Sequence, residues 1–429
     1  MNFKLQIILN LLSLKYNKKL YKSDLKKLQA KRWAKMQFTL QQSPFYEDFT
    51  NRKQELKHYP IINKSIFMER FDSINTRGVK RNEAFDLAIK AEKSRDFESM
   101  IDGVTIGLSS GTSGNRGVFL ATETERAQWV ACVLDRIIGF SLKKRSVAFF
   151  LRANSNLYDS VKSLVLTFEF FDLLEDLETQ IQKLNKVNPT VLVAQPSLLI
   201  ELAKKQGAGE LHIHPQKIIS VAEVLYPEDA RYLETVFKQT IHQVYQCTEG
   251  LLAATCAHGT LHFNDDFLII EKKYIDGDKT RFHPIITDLM RTTQPVIRYE
   301  LNDIIHEKKN CPCGSKSLAI EQIEGRSDDV LVFESNDGYL NKIFPDFFRR
   351  AIIMSNASIN DYTLVQSDKN ELNLFIDADI EIYEQAKASI IDLLKAKNIN
   401  NITIHRSEIR QHEKGNKLRR IRNDYRKAN

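Results

Sequence analysis

The feature that most constrains this chain is an alternation that sets in near Ile101, where short apolar-rich runs of strand length take turns with stretches of helical periodicity. Val104 to Leu108 and Val118 to Ala121 read as strands, and a helix is predicted from Thr122, which has capping-box spacing to Glu125. Ala127, Val130, Ala131, Leu134, Ile137 and Ile138 recur at helical spacing, and Gly139 marks a stop. Further buried strands are predicted over residues 146–151, 190–194, 217–221 and 241–245, with helical patterns between them. Strands alternating with helices predict an α/β fold whose sheets are mostly parallel and covered by helices on both faces.

The last hundred residues follow a different pattern. Short strands are predicted over 362–365 and 371–376 around the turn Ser367-Asp368-Lys369-Asn370, and Leu372, Leu374 and Ile376 alternate as one buried sheet face requires. A helix over 380–396 and a strand over 401–405 complete a small α+β domain. The expected division is a large domain over residues 1–325 and a small one over 326–429, with the boundary near Gly325.

Residues 1–45 form a basic helical segment of the large domain. Lys15, Lys18, Lys19, Lys22, Lys26, Lys27, Lys31, Arg32 and Lys35 face one acid, Asp24. Such a segment is either a solvated helix face or an attachment to an anionic membrane surface. Phe3, Leu5, Ile7, Ile8, Leu11, Leu12 and Leu14 give its start an amphipathic character, while Asn10 and Ser13 interrupt the apolar run and no small-residue cleavage site follows. Hydrophobic residues make up 42% of the 429-residue chain and charged residues 27%, which excludes global disorder and a collagen-like repeat. The net charge of +7 admits anionic substrates without making nucleic acid an expected partner. Five cysteines cannot all pair within the chain, and a reducing cytoplasm is the expected location, with a peripheral position at the inner membrane surface as the variant that the basic helix suggests.

The strongest local motif is Ser109-Ser110-Gly111-Thr112-Ser113-Gly114-Asn115-Arg116-Gly117. Its three glycines let successive backbone N–H groups converge on phosphate oxygens, its hydroxyls add donors, and Arg116 adds a fixed positive charge. It is not a Walker loop, because no Lys-Ser or Lys-Thr pair follows the last glycine. Taken alone it could also be a plain surface loop.

This loop resembles the phosphate loop of the adenylate-forming superfamily of acyl-CoA synthetases and adenylation domains. Within it, the chain is similar to the phenylacetate-CoA ligase branch and to the synthetases that adenylate a deazaflavin coenzyme. The resemblance runs from Ser43-Pro44-Phe45-Tyr46 to the end of the sequence, and further motifs fall in the family's order. Pro196-Ser197 resembles the substrate-domain signature, and Ala222-Glu223 the segment that lies against adenine. Tyr245-Gln246-Cys247-Thr248-Glu249-Gly250 resembles a Tyr-Gly-x-Thr-Glu motif, which implies Thr248 on phosphate and Glu249 on magnesium, with Gln246 in place of the glycine. Arg298-Tyr299-Glu300-Leu301-Asn302-Asp303 implies that Asp303 holds the ribose hydroxyls. Gly325-Arg326-Ser327-Asp328-Asp329 implies a nucleotide contact at Arg326 and a hinge at Asp328. Near the end, Lys417 and Arg420 keep a Lys-x-x-Arg spacing, which implies that Lys417 is the cation at the reacting carboxylate and α-phosphate; Lys414 is the other candidate.

The resemblance implies an ATP- and magnesium-dependent ligase that converts a carboxylic acid, aromatic or hydrophobic, to acyl-AMP and pyrophosphate. The acyl group would then pass to a thiol, either CoA or a carrier protein, or to another acceptor. Phe149, Phe150, Tyr158 and Pro196 are candidates for the acyl pocket. The family's Arg-Gly turn after the hinge is missing here, where Val330 to Gly338 stands instead, and this weighs against CoA. The alternatives are AMP transfer to a phenolic hydroxyl and a catalytically silent nucleotide-binding protein. A structural zinc site is also expected at Cys256, Cys311, Cys313 and a histidine. The family position favours His262, with His258 as the alternative, and four protein ligands would leave no open position for water.

Overall fold

The computed structural model describes residues 2–20, 24–52, 54–94, 100–108, 117–139, 143–151, 166–173, 175–275, 278–359, 361–410 and 418–425. The chain divides into two compact units, one of residues 1–301 with 306–322, the other of residues 302–305 with 323–429.

The larger unit opens with two helices, α1 (Phe3–Leu20) and α2 (Leu25–Leu40). A three-stranded antiparallel sheet follows, formed by β1 (Met100–Ile101), β2 (Val104–Leu108) and β3 (Val118–Thr122). The helix Glu123–Cys132 starts in the capping box expected of Thr122 and Glu125, runs on as a π-helical turn over Val133–Ile138, and stops at Gly139, whose φ of 82° favours glycine.

The main sheet is mixed. Its parallel half comprises β4 (Arg145–Leu151), β5 (Leu166–Asp172), β6 (Val191–Ala194), β7 (Lys217–Ser220) and β8 (Ile241–Cys247), in the order β5-β4-β6-β7-β8. The helices Leu177–Val187, Pro196–Gly207 and Pro227–Phe237 connect these strands. Ile181, Leu184, Leu199, Leu202 and Leu233 on the helices share one buried cluster with Phe150, Phe171, Leu192 and Ile218 on the strands. Each such side chain contributes about 1.5–3 kcal/mol on burial, which explains why the apolar runs specify this half so clearly.

Beyond β8 the direction reverses. β9 (Gly250–Thr255), β10 (Leu261–Phe263), β11 (Leu268–Ile275), β12 (Asp278–Asp288) and β13 (Tyr299–Glu300) pair antiparallel with their partners. Parts of β14 (Asp303–Lys308) and β15 (Ala319–Arg326) complete this half. The helix-strand alternation therefore predicts the parallel half and is silent about the antiparallel one, whose strands are joined without helices.

In the smaller unit, β16 (Leu331–Glu334) and β17 (Leu340–Ile343) form a hairpin. The four-stranded sheet has the order β20-β19-β18-β21, from β18 (Tyr362–Asp368), β19 (Glu371–Ile376), β20 (Thr403–Arg406) and β21 (Ile421–Asn423). Leu372, Leu374 and Ile376 are buried as their alternation predicts, in one cluster with Phe348 and Ile352 of the helix Pro345–Ser355 and Tyr383, Ala386 and Ile390 of the helix Ile380–Lys395.

Candidate active site and metal centre

Thr248 and Glu249 are the two central residues of the β8–β9 hairpin, between the paired residues Cys247 and Gly250. They sit where the sheet changes from parallel to antiparallel, at the carboxyl end of a parallel strand, which is where open α/β sheets take their ligands. A small, partly open pocket lies here, lined among others by Gly117, Lys64, Phe67, Thr248, Glu249, Gln294 and Tyr299. Gly117 is the last residue of the glycine- and hydroxyl-rich motif; Ser109, Ser110, Gly111, Thr112, Ser113, Gly114 and Arg116 lie outside the described residues.

The acidic group in the cleft is held from two sides. The Tyr299 hydroxyl donates to Glu249 Oε1 at 2.7 Å, and the Thr248 hydroxyl donates to Glu249 Oε2 at 3.0 Å. Burial, and then the adjacent Glu249 carboxylate, push the Tyr299 phenol well above its ordinary range, so it stays a donor. Arg291 Nη1 donates to Thr248 O at 2.6 Å and its Nη2 to Gln294 Oε1 at 3.1 Å, which fixes the hairpin tip against the segment 291–294.

That segment is anchored in turn by Glu125. One carboxylate oxygen accepts from the Thr292 and Thr293 backbone N–H groups at 2.6 and 2.8 Å and from the Thr292 hydroxyl at 3.2 Å. The other accepts from Thr122 N at 2.8 Å, the Thr122 hydroxyl at 2.9 Å and the Thr293 hydroxyl. Burial would raise the pKa of this group, but the Thr293 hydroxyl, the backbone donors and Arg291 hold it below the ordinary carboxylate value. Arg291, Gln294 and Tyr299 were not singled out from the sequence as site residues. Apart from the Arg291–Gln294 pair itself, their partners are 43 or more residues away, so no local spacing points to the site.

Other expected positions fall into three groups. Pro196-Ser197 and Ala222-Glu223 meet: Glu223 accepts from Ser197 N at 3.2 Å and the Ser197 hydroxyl at 3.1 Å, at the start of the helix Pro196–Gly207. Ala222 has a φ of 70°, a left-handed conformation that costs a non-glycine residue energy and recurs at functional sites. Tyr245 is buried on β8, edge-to-face with Phe263 at 6.2 Å. In the smaller unit, the Arg326 guanidinium approaches Asp303 at 3.8 Å, and Asn302 Nδ2 donates to Asp328 Oδ2 at 2.7 Å. Arg419 donates to Asp329 in the same neighbourhood. Lys414, Lys417 and Tyr158 lie outside the described residues. Phe150 is a core residue, fully buried and stacked on Phe171 at 4.6 Å, rather than a pocket wall.

The four metal-site side chains converge. The donor atoms of Cys256, His262, Cys311 and Cys313 all lie within 4.8 Å of one another. Cys256 Sγ and Cys311 Sγ are 3.7 Å apart, and Cys313 Sγ and His262 Nε2 are 3.4 Å apart. These spacings fit the edges of a tetrahedron with metal–sulfur bonds of about 2.3 Å and metal–nitrogen bonds of about 2.0 Å. Two glycines with positive φ make the turns: Gly259, at 77°, closes the loop after Cys256, and Gly314, at 67°, closes the loop after Cys313. The Gly259 N–H donates to Cys256 O and the Gly314 N–H to Cys311 O. His262 Nδ1 pairs with Ser317 O at 3.2 Å, which leaves Nε2 facing the sulfurs. His262, not His258, belongs to the cluster. Burial opposes ionisation of the Cys311 thiol, but the Cys313 backbone N–H and the Thr260 and His262 side chains bring it down to about 6.

No protein-family model matches the chain. A stretch of 162 residues is 28% identical to Protein CapK of Staphylococcus aureus, covering 37% of this chain and 36% of that protein, so the match spans about a third of the relative. Solved ligase and synthetase structures share this fold. It is shared over 93% of this chain and 89% of the other with 2-hydroxyisobutyryl-CoA ligase in its postadenylation state in complex with 2-HIB-AMP, at a TM-score of 0.67 and 15% identity. Amide bond synthetase McbA from Marinactinospora thermotolerans matches over 75% of this chain and 68% of its own, at a TM-score of 0.53 and 11% identity. ATP-bound MatB from Rhodopseudomonas palustris matches over 75% and 66%, at a TM-score of 0.52 and 13% identity.

Proposed function

We propose that this protein activates a carboxylic acid with ATP, giving acyl-AMP and pyrophosphate, and then passes the acyl group to a thiol or another acceptor. The observation that carries this reading is the placement of Thr248 and Glu249 at the β8–β9 tip, lining one cleft with Gly117. The fold supports it, because the 2-hydroxyisobutyryl-CoA ligase structure is of a complex with an acyl adenylate and the MatB structure is ATP-bound.

In this reading the loop 109–117 orients the β- and γ-phosphates through its backbone N–H groups, with Arg116 adding charge. Glu249 would hold a magnesium ion, which would supply further charge neutralisation on the phosphates. Tyr299 and Thr248 keep the Glu249 carboxylate in one orientation. Ala222, Glu223 and Tyr245 frame the adenine, Asp303 takes the ribose hydroxyls, and Arg326 contacts the nucleotide. A carboxylate oxygen of the substrate attacks the α-phosphorus in line as the bond to the bridging oxygen breaks and pyrophosphate leaves. Lys417 neutralises charge on the α-phosphoryl oxygens and the attacking carboxylate. A rotation at Asp328 would then separate adenylation from acyl transfer. The acid is aromatic or hydrophobic, a preference that rests on the likeness of the motifs to the phenylacetate-CoA ligase branch.

Cys256, His262, Cys311 and Cys313 would hold a structural zinc ion in this reading, which would tie the turn after β9 to the loop between β14 and β15.

The test is an ATP–pyrophosphate exchange screen over aryl and fatty acids. Exchange that depends on one class of acid supports the reading, and no exchange with any acid, despite ATP binding, removes it. Mass spectrometry of the products follows: free AMP with an acylated acceptor fits ligation, whereas a stable AMP adduct on a phenol would replace it with nucleotidyl transfer.

A further inference from the structure

Helix α1 has two apolar faces. Ile7, Leu11 and Leu14 are buried at 8%, 8% and 3% exposure. On this side α1 packs against the helix Glu123–Cys132, where Gln6 Nε2 donates to Glu123 at 2.8 Å and the Arg126 guanidinium lies 5.6 Å from the Phe3 ring. Leu5, Ile8, Leu9, Leu12 and Tyr16 are exposed at 46%, 53%, 46%, 58% and 64%. At about 100° per residue these five fall on the side opposite the packed face. Scattered exposed leucines need no explanation, but five large apolar side chains in one stripe on one helix do.

The charge around the stripe indicates what covers it. Lys4 and Lys15 fall along one margin at the same helical pitch, Lys19 lies in line with the stripe past its last apolar residue, Tyr16, and Lys18 falls on the packed side. Residues 1–46 contain ten Lys or Arg and one acid, Asp24. The remainder of the chain carries 52 basic and 54 acidic residues, so the whole positive excess of the protein sits in this segment. Lys26, Lys27, Lys31 and Lys35 of α2 are also exposed. An apolar stripe bordered by lysines matches the headgroup boundary of an anionic bilayer, where the stripe enters the acyl region and the lysines meet phosphates. A second copy of the chain fits less well, because pairing through α1 would bring two lysine-rich segments together.

We propose that α1 docks this protein onto an anionic lipid surface, lying in the plane of the membrane with Leu5, Ile8, Leu9, Leu12 and Tyr16 inserted. No described helix is long and apolar enough to cross a membrane, which suits a helix that lies on one. The proposal does not depend on the reaction assigned above.

The test is co-sedimentation of the full chain with vesicles of phosphatidylcholine alone and of phosphatidylcholine with phosphatidylglycerol. Binding to the anionic vesicles is expected, with at least tenfold less on the neutral ones and at least tenfold less in high salt. An Ile8→Ser/Leu12→Ser variant, altered only on the exposed face, should bind anionic vesicles at least tenfold more weakly while its circular dichroism is unchanged. Equal binding of variant and wild type would overturn the proposal. So would absence of binding to anionic vesicles at low salt, and so would a wild-type dimer that the double substitution dissociates without vesicle binding by either form.

Discussion

Replacing Glu125 by Gln tests how the cleft is supported. The carboxylate accepts six hydrogen bonds on its two oxygens, from Thr122, Thr292 and Thr293. An amide keeps one accepting oxygen and turns an NH2 group toward donors on the other side. Three accepted bonds are lost, and backbone N–H groups are left facing another N–H. With bonds to a charged group contributing about 1.5–3 kcal/mol each, and threonine hydroxyls able to rotate and accept instead, the net cost is roughly 3–5 kcal/mol. Urea denaturation followed by tryptophan fluorescence suits the measurement, because Trp33 and Trp129 both report on the larger unit. The pH dependence carries a second signature. The folded pKa of Glu125 lies below the ordinary value of 4.5, so its stabilisation is fully present above 4.5 and is lost as pH falls through the folded value. The Gln variant should lack that part of the acid-side decline. A variant within about 1 kcal/mol of wild type at neutral pH would mean that the six bonds to this buried carboxylate are not what holds the segment 291–294.

Three further outcomes follow from the same geometry. Tyr299→Phe removes the 2.7 Å bond to Glu249 and should lower kcat/KM for pyrophosphate exchange about 10–100-fold, most visibly at limiting magnesium; unchanged kinetics would show that Glu249 needs no such support. Purified protein should contain one zinc per chain by elemental analysis, and Cys313→Ser should lose the metal and lower the melting temperature of the larger unit; a sub-stoichiometric metal content would count against the centre. Burial raises the carboxyl of Asp288 from an ordinary 3.8 to about 6, so this group favours the folded state when protonated, and its contribution declines as pH rises through that window. Asp288→Asn keeps an acceptor for Met290 N and should be more stable than wild type above pH 6, by an amount of order 1–3 kcal/mol, with the difference vanishing toward pH 3.8 in denaturation curves.

What could be read from the sequence follows from the range of the interactions involved. Strands of the parallel half and the start of the helix Glu123–Cys132 were legible because their signals are local: apolar runs for β6 and β7, and Thr122 three residues before Glu125 for the helix start. The cysteine–histidine cluster was legible across 55 residues because cysteine and histidine declare their chemistry by type. The remaining partners of Glu125 lie 167 and 168 residues away at Thr292 and Thr293, and Tyr299 lies 50 residues from Glu249. Threonine and tyrosine are too common for such pairings to be inferred without the fold. The β16–β17 hairpin does carry a local signal, the turn residues Asn336-Asp337-Gly338, with Gly338 at a φ of 80°.

In the proposed function Lys417 serves carboxylate activation and not the transfer that follows. The most direct measurement is acid-dependent ATP–pyrophosphate exchange by wild type and Lys417→Ala, alongside acyl transfer from preformed acyl-AMP. Exchange should fall by roughly three orders of magnitude or more in the variant, about 4 kcal/mol of lost transition-state stabilisation, while acyl transfer changes little. Wild-type levels of exchange in the Lys417→Ala protein would contradict the account.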